Sequence, residues 1–400
     1  MVLGDFFELP PGARKLIIYY TLGMFDLVGF YIVIYMFVLG FDVIVIGVLY
    51  SYLLILTAVL KLILGRLIDI RIPPKYLMVV VELLSCLYWL VLFWARTLFD
   101  FIILYSISAV SSIFFVAFRP IERDLYPQDK LEIAYKHHMF WPYFFQFFLL
   151  LIYGLILNSN FVEMFRILVI FAAMMSVLRI VYVLAFIPKT KPIKSKNGDS
   201  AGIRRALSRG LVLVILAELI IIIAFDIAPT FVLDNYLFNV IGVNILGISI
   251  IYSLGGLMGA LSAIIYDKIR RVSAYGFVYV SLLVLSTYPL IIYYSQYTQN
   301  PFTVILLAMM IAYFVWPLWW IIHEVIMMRS VPSHLRGTIF GAVSAIRTII
   351  AIPLPIIAAL LISINPLTPL LIQATLFLTS IPLYYLALKS LAYKLRQTTE

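Results

Sequence analysis

Apolar stretches of about 18 to 25 residues recur along the whole chain, each separated from the next by a short polar break. At 1.5 Å per residue, each is long enough to cross a hydrocarbon layer about 30 Å thick. The pattern predicts twelve spans, at 16–39, 43–64, 76–95, 98–118, 139–158, 161–187, 210–233, 243–266, 272–294, 301–322, 337–362 and 367–388. An all-α polytopic membrane protein is therefore expected.

The longest break, "PKTKPIKSKNGDSAGIRRALSRG" at 188–210, divides the spans six and six. It predicts an N-terminal six-helix bundle over 1–187, a basic cytoplasmic linker over 188–209, and a C-terminal bundle over 210–400 ending in a short cytoplasmic tail. Rich in Lys, Ser, Gly and Pro, the linker should be flexible, with a short amphipathic helix near Ile203 to Leu207. Its basic run reads as a topology signal solvated beside the headgroups, with recognition of anionic lipid as the alternative.

Composition agrees with the pattern: 64% of the residues are hydrophobic and 12% charged, with a mean hydropathy of +1.09. A soluble domain could not hide so much apolar surface. A net charge of +10 would suggest nucleic acid in a soluble protein. Here 25 of the 29 Lys and Arg fall in loops of one parity, so the charge reads as topology, with no nucleic acid as partner. The positive-inside rule then puts both termini in the cytoplasm of a plasma-membrane protein. The first fifteen residues carry Asp5, Glu8, Arg14 and Lys15 without a small-residue cleavage pattern, so span 1 is expected to serve as the insertion signal. The single cysteine, Cys86, lies within a span and leaves no route to an intramolecular disulfide or a cysteine metal site. No cofactor is expected.

The halves repeat at an offset of about 200 residues, a spacing typical of transporters built from two similar bundles. "MFDLVGFYIVIYMF" matches "AFDIAPTFVLDNYLF", which pairs Asp26 with Asp226. Gly47 meets Gly247, Tyr52 meets Tyr252 and, after a small slip, Asp69 meets Asp267. "GRLIDIRIPPK" after span 2 is similar to the first cytoplasmic loop signature of the major facilitator superfamily, through Gly65, Leu67, Asp69, Arg71 and Lys75. It departs from that signature at Ile70. The second copy, "AIIYDKIRR", keeps Asp267, Lys268, Arg270 and Arg271 but has Ala263 for the glycine, and "VPSHLRGTIFGAVSAIR" resembles the family's entry into span 11.

The resemblance implies two pseudo-symmetric six-helix bundles, alternating access and a monomer. It also implies an inner clasp in which Asp69 meets the partial positive charge at the start of span 11 near Gly337. Arg71, Asp267, Arg271, Arg336 and Lys130 are its candidate companions, and an ordinary interfacial charge is the alternative for each.

Charges at depth carry the candidate chemistry. A mid-bilayer carboxylate costs about 2.5–3.5 kcal/mol on insertion scales and persists only where something compensates it. Asp26 lies ~16 Å past Lys15, and Glu218 and Asp226 lie ~13 and ~25 Å past Arg209. Eight residues apart, Glu218 and Asp226 share a helix face. Pro229 can kink their helix. In the family, spans 1, 4, 7 and 10 line the cavity, so these acids are expected to carry proton coupling, with a static ion pair to a buried Arg as the alternative for Asp26. Arg347 in span 11 would hold an anionic substrate or pair with Glu218 or Asp226. Arg179 in span 6 should pair with Glu82 of span 3. His323 and Glu324 begin "HEVIM", which has Met327 where a zinc motif needs its second His. They read as an inner gate. Trp316, with Trp319, Trp320 and "FWPYFFQFF" at 140–148, would bind an organic cation through ring faces or form an interfacial belt.

These features point to a secondary active transporter of a small organic solute, coupled to protons, with efflux of lipophilic cations preferred. A proton-linked carrier of an organic anion or nutrient is the alternative. Span 4 has no internal Arg and span 5 lacks the glycines that drug antiporters of the family usually carry, which keeps the second reading open. A flippase or a non-transporting receptor fits less well, and no nucleophile with its base is present for an intramembrane enzyme.

Overall fold

The computed structural model describes residues 2–68, 72–115, 118–189, 209–331 and 336–397. Among these the regular structure is helical, without strands. A short helix, α1 (Val2–Phe7), precedes span 1, which is assembled from α2 (Pro11–Leu22), a 3-10 segment (Gly23–Tyr31) and α3 (Ile32–Val38). Spans 2 and 3 are α4 (Val43–Ile68) and α5 (Pro74–Trp94), and span 4 is α6 (Leu98–Phe114). A short charged helix, α7 (Phe118–Leu125), then leads to spans 5 and 6, α8 (Leu131–Leu157) and α9 (Phe161–Phe186).

In the second half, span 7 is α10 (Arg209–Asp226) and α11 (Thr230–Asn235), closed by a π-helical turn (Tyr236–Val240). Helix α12 (Ile245–Ser295) carries spans 8 and 9, and α13 (Pro301–Ser330) is span 10. Span 11 is α14 (Arg336–Ala351) with α15 (Leu354–Ile362), and span 12 is α16 (Thr368–Gln397).

Eleven helical segments among the described residues are long and apolar enough to cross a membrane. The expected fourth span at 98–118 is shorter, with 17 residues. Thr97 and Asp100 fix its start in a reciprocal capping box. Alternating crossings place both chain ends on one face, the terminal face. Most of the expected linker, including 203–207, lies outside the described residues, as do Asp69 and Arg71 and the side-chain surroundings of Gly65, Asp267, Arg271 and Arg336.

Three spans are broken, span 7 at the proline expected to kink it and spans 1 and 11 where continuous helices were expected. Span 1 tightens to 3-10 geometry around Asp26, a form often found at functional hinges. Span 7 breaks at Pro229 and span 11 at Pro353, where the ring removes a ladder donor.

The bundles meet along two seams, α8 on α12 and α4 on α14 and α15. Small residues let the backbones close. A Cβ on Gly154 would collide with the Ser249 side chain, and one on Gly47 would stand 2.8 Å from the Pro355 carbonyl oxygen. Ser253 Oγ donates to the Phe147 carbonyl at 2.6 Å, and Gln146 Nε2 to that of Tyr252 at 3.2 Å. Both glycines lie near the face opposite the termini, which is closed by these contacts.

On the terminal face α1 is latched to α8. Lys136 Nζ lies 2.6 Å from Asp5 Oδ2, Lys130 Nζ lies 3.2 Å from Glu8 Oε2, and the Phe6 ring meets His137 edge-on at 5.3 Å. The hydrogen bond from Lys136 holds the Asp5 carboxyl below its ordinary value of 3.8.

Two predictions follow from this packing. Gly154→Val should overpack the seam and cost about 1–3 kcal/mol, read as a fall in Tm of the detergent-solubilised protein. A depressed carboxyl stabilises above its ordinary value and loses that contribution as pH falls through its folded value. Proteolysis within residues 2–9 should therefore be slow at neutral pH and speed up below pH 3.8, whereas Asp5→Asn should be cleaved quickly at both.

Candidate substrate site

The site begins where α2 gives way to the 3-10 segment. Gly23 leaves room for a cation behind span 1, since a Cβ there would stand 3.2 Å from Arg179 Nη1. The altered ladder is steadied by Tyr153, whose hydroxyl donates to the Phe25 carbonyl at 3.0 Å. Arg179 reaches in from α9 and is only 6% exposed. Its Nη2 lies 2.5 Å from Asp26 Oδ2 and 2.9 Å from Glu82 Oε2, and donates to Ser176 Oγ at 3.3 Å. Glu82, 2% exposed, also accepts the Tyr19 hydroxyl. Asp26 Oδ1 is buried, and the indole of Trp89 is the neighbouring donor to this carboxylate. Two carboxylates around one guanidinium leave a formal charge of −1.

This cluster forms one end of a cavity of about 520 Å³, within the range of small-molecule sites. Its walls are aromatic, with Tyr20, Tyr88, Trp89, Phe115 and Phe118 from the first bundle and Trp320 from the second. Hydroxyls of Ser108, Ser111 and Ser112 add polar points. Toward the terminal face it ends at Glu122 and His138. Glu122 accepts the Tyr20 hydroxyl at 2.7 Å, and the His138 ring stacks on Tyr20 at 4.1 Å.

A second polar cluster lies in the other bundle. His323 Nε2 is 3.5 Å from Glu218 Oε2, and His323 Nδ1 shares a 2.6 Å hydrogen bond with the Tyr384 hydroxyl. Trp319 lies parallel to the imidazole at 4.8 Å. Trp316 stacks on Trp319 at 5.0 Å and meets Phe225 edge-on at 4.6 Å, so it belongs to this aromatic group, and Trp320 is the ring that reaches the chamber. Glu324 is buried beside the pair on the same helix.

The remaining sequence candidates, Asp226 and Arg347, lie near enough for the charge of one to act on the other. Asp226 ends α10 half-buried. Arg347 is exposed on α14, and no carboxylate among the described residues lies within ion-pair distance of it. The partner of Glu218 is thus His323, where an arginine was the sequence alternative. Arg179 joins Glu82, its expected partner, and also Asp26, for which an ion pair with a buried arginine was the sequence alternative.

Several polar residues at depth are not singled out by the sequence. Lys61, at the inner end of span 2, donates to Ser344 and Thr348 of α14 at 3.3 and 3.2 Å, on either side of Arg347 in sequence. Asp234, 1% exposed, accepts the Tyr252 hydroxyl at 2.8 Å. Glu122 and His138 sit in segments that read as loop or loop edge. The charge-dense "FRPIERDL" was the only available signal for Glu122. Among the described residues, no group of three or more His, Cys, Asp or Glu side chains could hold a metal ion.

A model of the Major Facilitator Superfamily matches residues 16–355. The fold resembles a bacterial homologue of the iron transporter ferroportin in an inward-facing state, at TM-score 0.68 and 14% identity over 94% of this chain and 98% of that one. It also resembles the nucleoside transporter NupG, at TM-score 0.55 and 15% identity over 95% and 98%. The human organic anion transporter MFSD10 (TETRAN) matches at TM-score 0.58 and 16% identity over 96% and 97%. At such identities the likeness establishes the fold alone. No curated protein sequence matches significantly.

Removing the cation of the first cluster should strand two buried carboxylates. Arg179→Gln is expected to lower stability by about 3–5 kcal/mol, measured as Tm or folded yield. Adding Glu82→Gln to that variant should recover part of the loss, whereas equal Tm values for wild type and Arg179→Gln would mean that the cluster is not held by charge.

Proposed function

The chain belongs to the major facilitator superfamily, and on that premise we propose that it exports a small lipophilic organic cation by alternating access, driven by protons. One observation carries this reading: a chamber of about 520 Å³ joins three carboxylates, Asp26, Glu82 and Glu122, to one guanidinium inside aromatic walls. Ring faces attract a desolvated ammonium by about 2 kcal/mol or more. The carboxylates favour the same sign of charge.

Orientation supports export. The positive-inside rule makes the terminal face cytoplasmic. The chamber extends from Asp26 toward that face, ending at α7, while small-residue contacts seal the opposite one. A cation could therefore load from the cytoplasm. The 3-10 segment and the breaks at Pro229 and Pro353 fall in spans 1, 7 and 11 and supply the flexible points that rocking bundles need.

A second reading rests on Lys61 and Arg347. Together with the hydroxyls of Ser344 and Thr348 they put two cations at the α4–α14 seam. That pair would suit an organic anion, and the chamber acids would then handle only protons.

Thermal-shift measurements on the purified protein separate the two. A quaternary ammonium dye at a hundred times its dissociation constant should stabilise by about 2.7 kcal/mol. The effect should vanish in Asp26→Asn, which keeps Glu82 as the partner of Arg179. Stabilisation by organic carboxylates alone, lost in Arg347→Gln, would replace the cation reading with the anion one.

A further inference from the structure

The cation reading needs a proton site, and the geometry of Asp26 makes it a poor one, because its carboxylate is already committed to a permanently charged guanidinium. The Glu218 and His323 pair is arranged differently. Both partners can change charge, and they belong to different helices, α10 and α13.

The Glu218 side chain is 20% exposed and the His323 side chain 3%, so Glu218 is the more accessible partner. His323 Nδ1 is engaged by the Tyr384 hydroxyl at 2.6 Å, while Nε2 stands 3.5 Å from Glu218 Oε2, within ion-pair range but without a hydrogen bond. A hydroxyl can accept a hydrogen bond from Nδ1–H or donate one to a bare Nδ1, so Tyr384 suits either tautomer. The parallel face of Trp319 at 4.8 Å is a favourable neighbour in both protonation states.

We propose that Glu218 and His323 form the site that takes up and releases the driving proton, with Glu218 as its entry group and Tyr384 as the residue that orients the ring. This rests on the proton-driven reading above. A proton from water adds to the Glu218 carboxylate and passes to the free lone pair at Nε2, leaving the carboxylate charged and the ring an imidazolium whose Nδ1–H donates to Tyr384. Release reverses the step. Transfer converts a neutral ring with a neutral acid into an ion pair between α10 and α13, which alters how those two helices hold each other. Other titratable or charged groups on the elements packed around the pair are Glu324 on α13, Asp226 on α10, Arg347 on α14, His138 on α8, Tyr288 on α12 and Lys389 on α16.

The first experiment needs no substrate. Because Trp319 stacks on the ring, intrinsic fluorescence of the purified full chain should change in a single step when the ring gains its proton in an acid titration. The step should be absent in His323→Gln and displaced in Glu218→Gln and Tyr384→Phe. If His323→Gln does not fold, the other two variants decide. A step that persists in His323→Gln, or that neither of the others displaces, overturns the proposal.

The second experiment uses proteoliposomes and a quaternary ammonium dye. His323→Gln should lose gradient-driven uptake at least tenfold while dye-for-dye counterflow stays within twofold of wild type. Equal loss of both in a folded variant would mark a structural residue and overturn the proposal. A normal fluorescence step in a protein that neither binds nor exchanges the dye would leave the proton site standing and overturn the cation reading.

Discussion

A guanidinium keeps its charge in any environment a protein can offer, and Arg179 sits where lipid would surround it if the first bundle did not close. The bundle around it is arranged accordingly. Asp26 comes from span 1 and Glu82 from span 3, so the demand of one side chain on span 6 pulls three helices to a common point. Gly23 is needed there because any larger residue would crowd the guanidinium. The Tyr19 hydroxyl fills one of the positions left on Glu82. Part of the chamber wall grows out of this one requirement, since the helices converging on Arg179 also carry Tyr20, Tyr88 and Trp89, which face the cavity.

The same economy appears in the backbone. Within a bilayer an interrupted helix must find its hydrogen bonds inside the protein. Tyr153 answers the Phe25 carbonyl in the 3-10 segment, and Tyr31 bonds across the bundles to Ser249 Oγ at 2.7 Å. Breaks of this kind are tolerated where neighbouring helices pack closely, and the glycine seams supply that closeness. Segments that bend and seams that close are thus parts of one arrangement, which is why they concentrate along spans 1, 2, 5, 7, 8 and 11.

Much of this was legible beforehand and some was not, for physical reasons. Spans and repeat follow from apolar length and spacing, which any bilayer imposes. The pairing of Arg179 with Glu82 was readable because two opposite charges at similar depth leave few other choices. That Asp26 joins them depends on how far span 1 turns in its 3-10 stretch, and periodicity at 3.6 residues does not report that rotation. Lys61 and Asp234 were hidden by soft span boundaries, since each lies within a few residues of an expected span end. Glu122 was hidden for a different reason. Its helix is too short and too charged to read as anything but loop, and only tertiary packing turns one of its acids inward.

The repeat makes the divergence between the halves informative. Phe25 meets Phe171 across spans 1 and 6 at 5.6 Å, and Phe225 meets Phe377 across spans 7 and 12 at 5.1 Å, so the apolar scaffold has been kept in both copies. The polar partners differ. Where the first bundle puts an arginine between two acids, the second puts a histidine between a carboxylate and a phenol. An arginine triad has a fixed charge and suits a site whose selectivity must not change with its protonation. A histidine and glutamate pair has a variable charge and suits a site that must change during a cycle. In the proposed cycle, placing one kind in each bundle would let ligand and proton act on opposite sides of the same seams, and a movement of the bundles relative to each other would couple them without direct contact.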